Sequence, residues 1–262
     1  MEQAHRIPDY AYAGNEKLQK IEIPEGTKVI GKHAFYNCRY LETVILPHGS
    51  IEIEDGAFKN CQRVSHIILR KGEDNCNCLK DILYDMNHEI KVTVIYSEQD
   101  CAVLLFPHYE YEYIANEPAR IFSEVGYGTG YLYQQCFFDS RIDYPRYDSL
   151  WKRACVSEEI SVLARILSYR LRFPHQLSED CSSMYEQYFK EHTRELLTWY
   201  MKEPDMDSLH FFLEGDNVDV KLLTLAGEIA ASLERPELIS YVLDVKNRTA
   251  GDDKKGAGKF AL

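Results

Sequence analysis

No apolar run in this chain approaches the roughly 18 residues a membrane span needs. The first ten residues, MEQAHRIPDY, contain neither the apolar stretch nor the small-residue cleavage site of a secretory signal. A cytoplasmic protein is therefore expected, with its eight cysteines as reduced thiols. Positive charge is scarce too. The formal net charge is −12, which disfavours nucleic acid and anionic membrane surfaces as partners. Catalytic signatures are missing: there is no G-x-S-x-G, no H-E-x-x-H and no paired-histidine or Cys-His pattern. CNC at 76–78 is too tight for the C-x-x-C zinc spacing, and no second pair lies nearby. His88 and His108 are isolated, and the Glu191-His192 pair has no ligand partner at helical spacing. No enzyme, no cofactor and no metal are expected.

What is present is a soluble, globular composition, 45% hydrophobic and 27% charged, in a length that allows more than one domain. The acid is uneven. Residues 1–72 carry 10 Lys/Arg against 9 Asp/Glu, residues 73–150 carry 5 against 14, and residues 151–262 carry 15 against 19.

The first of these stretches repeats itself. LQKIEIPEGTKVIGKHAFYNCRY, 18–40, is followed without a gap by LETVILPHGSIEIEDGAFKNCQR, 41–63. Ten positions match: Leu18/Leu41, Ile21/Val44, Ile23/Leu46, Pro24/Pro47, Gly26/Gly49, Ile30/Ile53, Ala34/Ala57, Phe35/Phe58, Asn37/Asn60 and Cys38/Cys61. Before it, Ala11 and Tyr12 fall on the Ala-Phe positions; after it, Val64, Ile67, Leu69 and Gly72 begin a fading third unit. A period of 23 residues reads as a solenoid in which each unit is one turn and each buried position stacks on its copy. Leu18, Ile21 and Ile23 alternate inward on a short strand that Pro24 ends, and Gly26 turns the chain. Cys38 and Cys61 then share a rung beside Phe35 and Phe58 and are expected to be small apolar fillers. Zinc would need four ligands, and the third unit offers Tyr84 at the cysteine position. Stacking makes a disulfide geometrically conceivable, but packing is the preferred role.

The pattern L-x-x-I-x-I-P-x-x-x-x-x-I-x-x-x-A-F-x-x-C resembles the BspA-type leucine-rich repeat over about residues 7–72. That resemblance implies a protein-binding or adhesive scaffold without catalysis. Known members are often surface proteins, a location not carried over to this chain.

Beyond residue 73 the periodicity changes. CNCLKDILYDM, 76–86, suits a short helix capping the array; KVTVIYS and DCAVLLF read as strands joined by a turn at EQD. YEYEYIA, 109–115, alternates in a period of two and reads as a half-exposed strand. GYGTGYLYQQC, 126–136, offers Gly126, Gly128 and Gly130, but lacks the Lys-Ser/Thr of a P-loop and the dinucleotide G-x-G-x-x-G spacing. It reads as a turn leading into a strand, YLYQQCFFD. Eight tyrosines between 109 and 147 sit among Glu and Asp, which favours core packing or a protein contact surface over base stacking.

The last third is helical. One helix starts at Ser157-Glu158-Glu159, is apolar at Ile160, Leu163, Ala164, Leu167 and Leu171, and stops at Phe173-Pro174. A second opens at Ser178 and runs to Pro204 with Met184, Tyr185, Tyr188, Phe189, Leu196, Leu197 and Tyr200 buried. MDSLHFFLE is short and stops at Gly215; 219–233 is a fourth helix, and Pro236 opens a fifth, PELISYVLDVK. Thr224, Ala230, Ala231, Glu237, Leu238 and Leu243 give 224–244 a resemblance to one ankyrin unit, and 205–215 resembles the second helix of the unit before it. The usual glycine after Ala-Ala is absent, with Glu234-Arg235-Pro236 in the turn. The whole arrangement is similar to bacterial proteins that join a short leucine-rich array to an ankyrin-like helical end.

The fold class expected is thus α+β: a leucine-rich-repeat solenoid with capping helix at 1–86, a strand-rich aromatic acidic segment at 87–150, an antiparallel ankyrin-like helical block at 151–246, and a mobile tail at 247–262 ending in KFAL, a frayed terminus or a short docking motif. The function expected is a non-catalytic interaction scaffold or adaptor, or a subunit of a larger bacterial assembly, with a protein partner of unknown identity. The alternative is a small-ligand or nucleotide site at 126–133 walled by Tyr131 and Tyr133. Alternation points Lys20, Glu22, Thr43, Ile45, His66 and Ile68 outward from the repeat strands as candidate protein-binding residues. Ile45 and Ile68, side by side, are either covered by the acidic middle segment, the preferred reading, or offered to a partner.

Overall fold

A computed structural model describes residues 5–47, 49–70, 77–116, 121–203, 205–215 and 218–257. The chain divides into two compact units, one reaching to Ser182 and one beginning at Ser183.

The first unit opens as a solenoid. Its strands are β1 (His5–Ile7), β2 (Lys20–Glu22), β3 (Thr27–Ile30), β4 (Thr43–Leu46), β5 (Glu52–Ile53) and β6 (His66–Arg70). Odd and even strands separate into two parallel ladders, β1-β3-β5 and β2-β4-β6. The register equals the sequence period, with Lys20↔Thr43↔His66, Ile21↔Val44↔Ile67 and Glu22↔Ile45↔Ile68. A third ladder links the turns on the remaining side. Tyr12 N–H donates to Ala34 O, Phe35 N–H to Ala57 O, and Asn37 N–H to Lys59 O, all at 2.7–2.9 Å. The N–H groups between these bond within their own turn, as Ala34 N–H to Gly31 O and Cys38 N–H to Phe35 O, so alternate backbone groups are satisfied by the next turn.

The repeated residues have identifiable causes. Gly26 and Gly49 hold positive φ of 80° and 108° after the strand-ending prolines, conformations that glycine adopts without strain. Asn37 and Asn60 sit at φ 59° and 66°, the left-handed region where Asn is the best tolerated side chain after Gly. Inside, Tyr12, Phe35 and Phe58 form one stacked column, with ring centroids 5.1 and 4.9 Å apart. The expected inward set holds, with one gradation: Ile23, Val44, Leu46, Ile67 and Leu69 are buried, whereas Leu18 and Ile21 are only half-buried. β2 is the edge strand of its sheet, so no further turn among the described residues covers that rung.

On the side of the aromatic column the described turns give way to a helix, while the parallel ladder runs on past it. α1 (Asn77–Tyr84) takes the place of the third turn and buries Cys78, Leu79, Ile82 and Leu83. Phe58 N–H, which in the preceding turn would meet a backbone carbonyl, instead donates to the Asp85 carboxylate at 3.1 Å. β7 (Ile90–Ile95) then pairs parallel with β6, and β8 (Cys101–Phe106) pairs antiparallel with β7. The repeat sheet thus grows to five strands, order β2-β4-β6-β7-β8. The boundaries expected at 86/87 and 150/151 both fall inside this one compact unit.

β9 (Glu110–Asn116) and β10 (Ile121–Tyr127) form an antiparallel hairpin. The stretch expected as a strand after it is instead α2 (Thr129–Tyr133), followed by the two-residue strands β11 (Phe137–Phe138) and β12 (Arg141–Ile142). The correction has a packing cause. A helical turn puts positions 130, 133 and 134 on one side: Gly130 against the backbone at 107–108, Tyr133 against Tyr147, and Gln134 Nε2 donating to Leu83 O and Met86 O. Tertiary fit overrides the β preference of tyrosine. Two helices not foreseen, α3 (Tyr144–Ser149) and α4 (Trp151–Ser157), lead to α5 (Ile160–Arg172), which packs on β8. α5 buries Leu163, Ala164 and Leu167 as expected, and also Arg170, whose guanidinium grips Asp148 through two 2.8 Å hydrogen bonds. Paired and fully buried, neither charge can be removed alone without a large penalty.

α6 (Glu179–Glu191) carries the chain into the second unit, which continues with α7 (Thr193–Lys202), α8 (Met206–Leu213), α9 (Val220–Ser232) and α10 (Pro236–Ala257). The single helix expected from 178 to 204 is broken at His192. Thr193 Oγ1 donates to Phe189 O and Lys190 O across the break. Asp205 and Asp219 cap α8 and α9 by accepting from Ser208 N–H and Leu222 N–H. α10 runs on to Ala257 through the stretch expected as a mobile tail; its Arg248 pairs with Asp244 and Glu214. The terminal KFAL lies outside the described residues, as do Gly72 and Cys76.

Candidate functional site

The six outward residues of the repeat strands do share one face of the sheet, but they do not present one open surface. Lys20 and Glu22 on β2 are exposed; Thr43, His66 and Ile68 are half-buried; Ile45 is only 4% exposed. Two features account for the gradient. Arg70, on the same face two residues beyond Ile68, reaches across β4 to an ion pair with Glu22 and thereby shields Ile45. Further along the sheet, α5 packs on β8, and its Tyr169 ring lies over Lys91 Nζ at 5.2 Å. Arg165 of the same helix pairs with Glu89 just before β7. His66 Nε2 meets Thr93 Oγ1 at 2.9 Å, and burial, aided by the nearby Lys91 charge, pushes its pKa down to about 4. Ile45 is thus buried and Ile68 half-buried, with the Glu22–Arg70 pair spanning β4 rather than the acidic middle segment lying over it. The open part of the face is the β2 edge.

The thiols serve packing. Cys38 Sγ donates to Tyr12 O at 3.1 Å, and Cys61 Sγ to Phe35 O at 3.0 Å, the same bond one turn apart. Both side chains are buried, and the contact with Cys38 together with burial raises the Cys61 pKa. Among the described residues no three His, Cys, Asp or Glu side chains are arranged to hold a metal.

At 126–133 the glycines accommodate the protein itself. A Cβ on Gly126 would meet the Tyr131 ring at 2.0 Å, and one on Gly130 would meet Pro107 O and His108 O at 2.4 Å. Tyr133 is wholly buried with its ring 4.6 Å from that of Tyr147, so it lines no open wall. Thr129 donates its hydroxyl to Glu158. Gly126 is thus closed off by a ring and Gly130 by backbone of the protein itself.

A feature with no sequence counterpart lies where the repeats stop. The last full turn, 53–59, and α1 diverge to leave a cleft of about 280 Å³. Asp55 and Lys59 line it from the turn and His33 from the turn before, Asp81 and Tyr84 from the helix and Asp85 from just beyond it, with Met86 and Tyr109 at the far side. Burial raises the pKa of Asp85 although Phe58 N–H donates to it, and burial likewise raises Asp81. Asp81 and Asp85, spaced i,i+4 around Tyr84, are the sole trace of this site in the sequence, and nothing there ties them to Asp55.

Residues 5–98 match the model of the BspA type leucine rich repeat region, in six copies. No curated protein and no solved structure matches the chain. The matched span covers every strand from β1 to β7.

Proposed function

We propose that this protein, whose residues 5–98 match the BspA type leucine rich repeat region, is a non-catalytic scaffold that binds another protein. Repeats of this kind generally act as interaction modules rather than catalysts. The observation that carries the reading is the ladder. The repeated groups described inside the solenoid bond from turn to turn: the Cys38 and Cys61 thiols to backbone carbonyls and Phe35 against Phe58, while Asp85 accepts the Phe58 N–H. What remains outward is a polar face open at β2.

Lys20 and Glu22 are the two of the six candidate residues placed to touch a partner, with Thr43 beside them. In the parallel pairing, Ile23 N–H donates to Ile45 O and Thr43 N–H to Gln19 O, so the backbone of residues 19, 21 and 23 turns toward β4. The N–H and C=O groups of Lys20 and Glu22 then face the open edge, where a partner strand can add. The cytoplasmic placement is part of the same proposal; it is supported by the seven described cysteines, all free. The membrane has no part in it, and among the described residues no helix is long and apolar enough to cross one. The glycine loop gives the ligand alternative no support.

The test is affinity co-purification from the native host with the wild-type chain and the charge-reversed Lys20→Glu/Glu22→Lys pair. A specific protein retained by the wild type and lost, or reduced about tenfold, in the variant supports the reading. Equal recovery by both rules out the β2 edge, and recovery of no protein under either condition rules out the scaffold.

A further inference from the structure

The cleft at the end of the repeats is chemically distinct from the β2 edge and from the rest of the solenoid. Four carboxylates line it: Glu54, Asp55, Asp81 and Asp85. Glu54 is committed to Arg6 through hydrogen bonds of 2.8 Å, and Asp85 accepts the Phe58 N–H. Asp55 and Asp81 make no ion pair among the described residues, and Lys59 is the one lysine in the lining. Acid alone would not define a ligand. The shape and the walls do: Tyr84 stands 68% exposed at the rim, while Met86 and Tyr109 are buried at the far side.

This combination fits one class of guest. A volume of about 280 Å³ lies below the ~300–1,000 Å³ usual for small-ligand and cofactor pockets but suits a single long side chain. The metal alternative fails on geometry, because the described residues hold no three-ligand cluster. An organic cation with an apolar stem suits a lining in which four carboxylates outnumber Lys59 and His33 and the far side is apolar. Asp55 and Asp81 supply counter-charge and Met86 an apolar wall for its methylenes, beside the lining's own Lys59 and His33.

We propose that this cleft receives a lysine or arginine side chain from the protein partner. The proposal rests on the scaffold reading and names the chemistry of its partner: a segment with a basic residue free to enter, complementary to an acidic host of net charge −12. Asp55 and Asp81 set the preference for a cation, and the cleft is a second contact remote in sequence from Lys20 and Glu22.

The experiment titrates the full chain, labelled with ¹⁵N, with four blocked pentapeptides that share Gly-Gly-X-Gly-Gly, where X is lysine, arginine, acetyl-lysine or glutamine. The lysine or arginine peptide is expected to shift the amides of 55–59 and 81–87 saturably, while the neutral peptides leave them unmoved. The lysine and arginine arms decide which side chain the site prefers. Asp81→Asn and Asp55→Asn/Asp81→Asn replace exposed carboxylates and should keep the native spectrum; they should weaken the basic peptide by about tenfold. Shifts spread evenly over the acidic surface, equal response to acetyl-lysine, or undiminished binding to the double variant would each overturn the proposal. Loss of the cleft response with partner recovery intact leaves the scaffold standing without this contact. Peptide binding with no protein partner recovered would sink the scaffold reading instead and retain the cation site.

Discussion

The solenoid and the helical unit solve the same problem, satisfying the backbone, with opposite economies of distance. In α9 each N–H finds its carbonyl four residues away, and the ends are closed by local caps such as Asp219. In the solenoid a turn N–H finds its carbonyl 22 residues on, as Phe35 does at Ala57. A helix can therefore lose one end and keep the rest, whereas a rung is held by the rungs on both sides. Damage should stay local in one region and spread in the other.

The largest effect is expected at the centre of the aromatic column. Phe35→Ala removes a fully buried ring stacked between Tyr12 and Phe58 and should cost about 3–5 kcal/mol, read as a lowered urea midpoint of the first unit. Amide exchange should accelerate at 10–14 and 55–59 together. Acceleration confined to 33–37 would erase the contrast with the helices. In the second unit, Asp219→Ala should cost about 1 kcal/mol by freeing the Leu222 N–H, with faster exchange in the first turn of α9 alone. Spread of that effect into α7 or α10 would show the helices to be as interdependent as the rungs.

The smallest effect is a matter of pH. His66 resists protonation in the folded sheet down to about 4, against an ordinary value of 6.5. The unfolded chain takes up the proton first, so this stabilisation is present above pH 6.5 and is lost as pH falls from there toward 4. His66→Gln keeps a polar partner for Thr93 and should flatten the stability of the first unit over pH 6.5 to 5, where few carboxylates titrate. An unchanged slope in the variant would assign the pH dependence to other groups, His88 foremost, whose pKa burial also lowers.

The same contrast governs what could be read from the sequence. The repeat was legible because ten positions state it twice, and each duplicate reports on a shared spatial column; even Asn37 and Asn60 were visible before their left-handed backbone gave them a reason. Strand alternation named the correct face, yet Ile45 is covered by a strap between Glu22 and Arg70, residues 48 apart with no pattern linking them. Helices were legible by period and less so by boundary. The break at His192 has no Gly or Pro to announce it in the sequence, and α2 replaced a strand because Gly130, Tyr133 and Gln134 all pack on one side. The cleft was invisible for a related reason: its two halves, 53–59 and 81–87, meet only after the last turn has closed.

Asp85 makes the end of the ladder independent of its length. Because a side chain rather than a further coil terminates the column, a block of 23 residues could be added or removed between 18 and 63 without altering the terminus. Each such block would move the acidic notch by one strand spacing, about 4.8 Å, relative to the β2 edge. Under the proposed scaffold function, repeat number would act as a ruler, setting the separation of the two proposed contact points while leaving the character of each untouched.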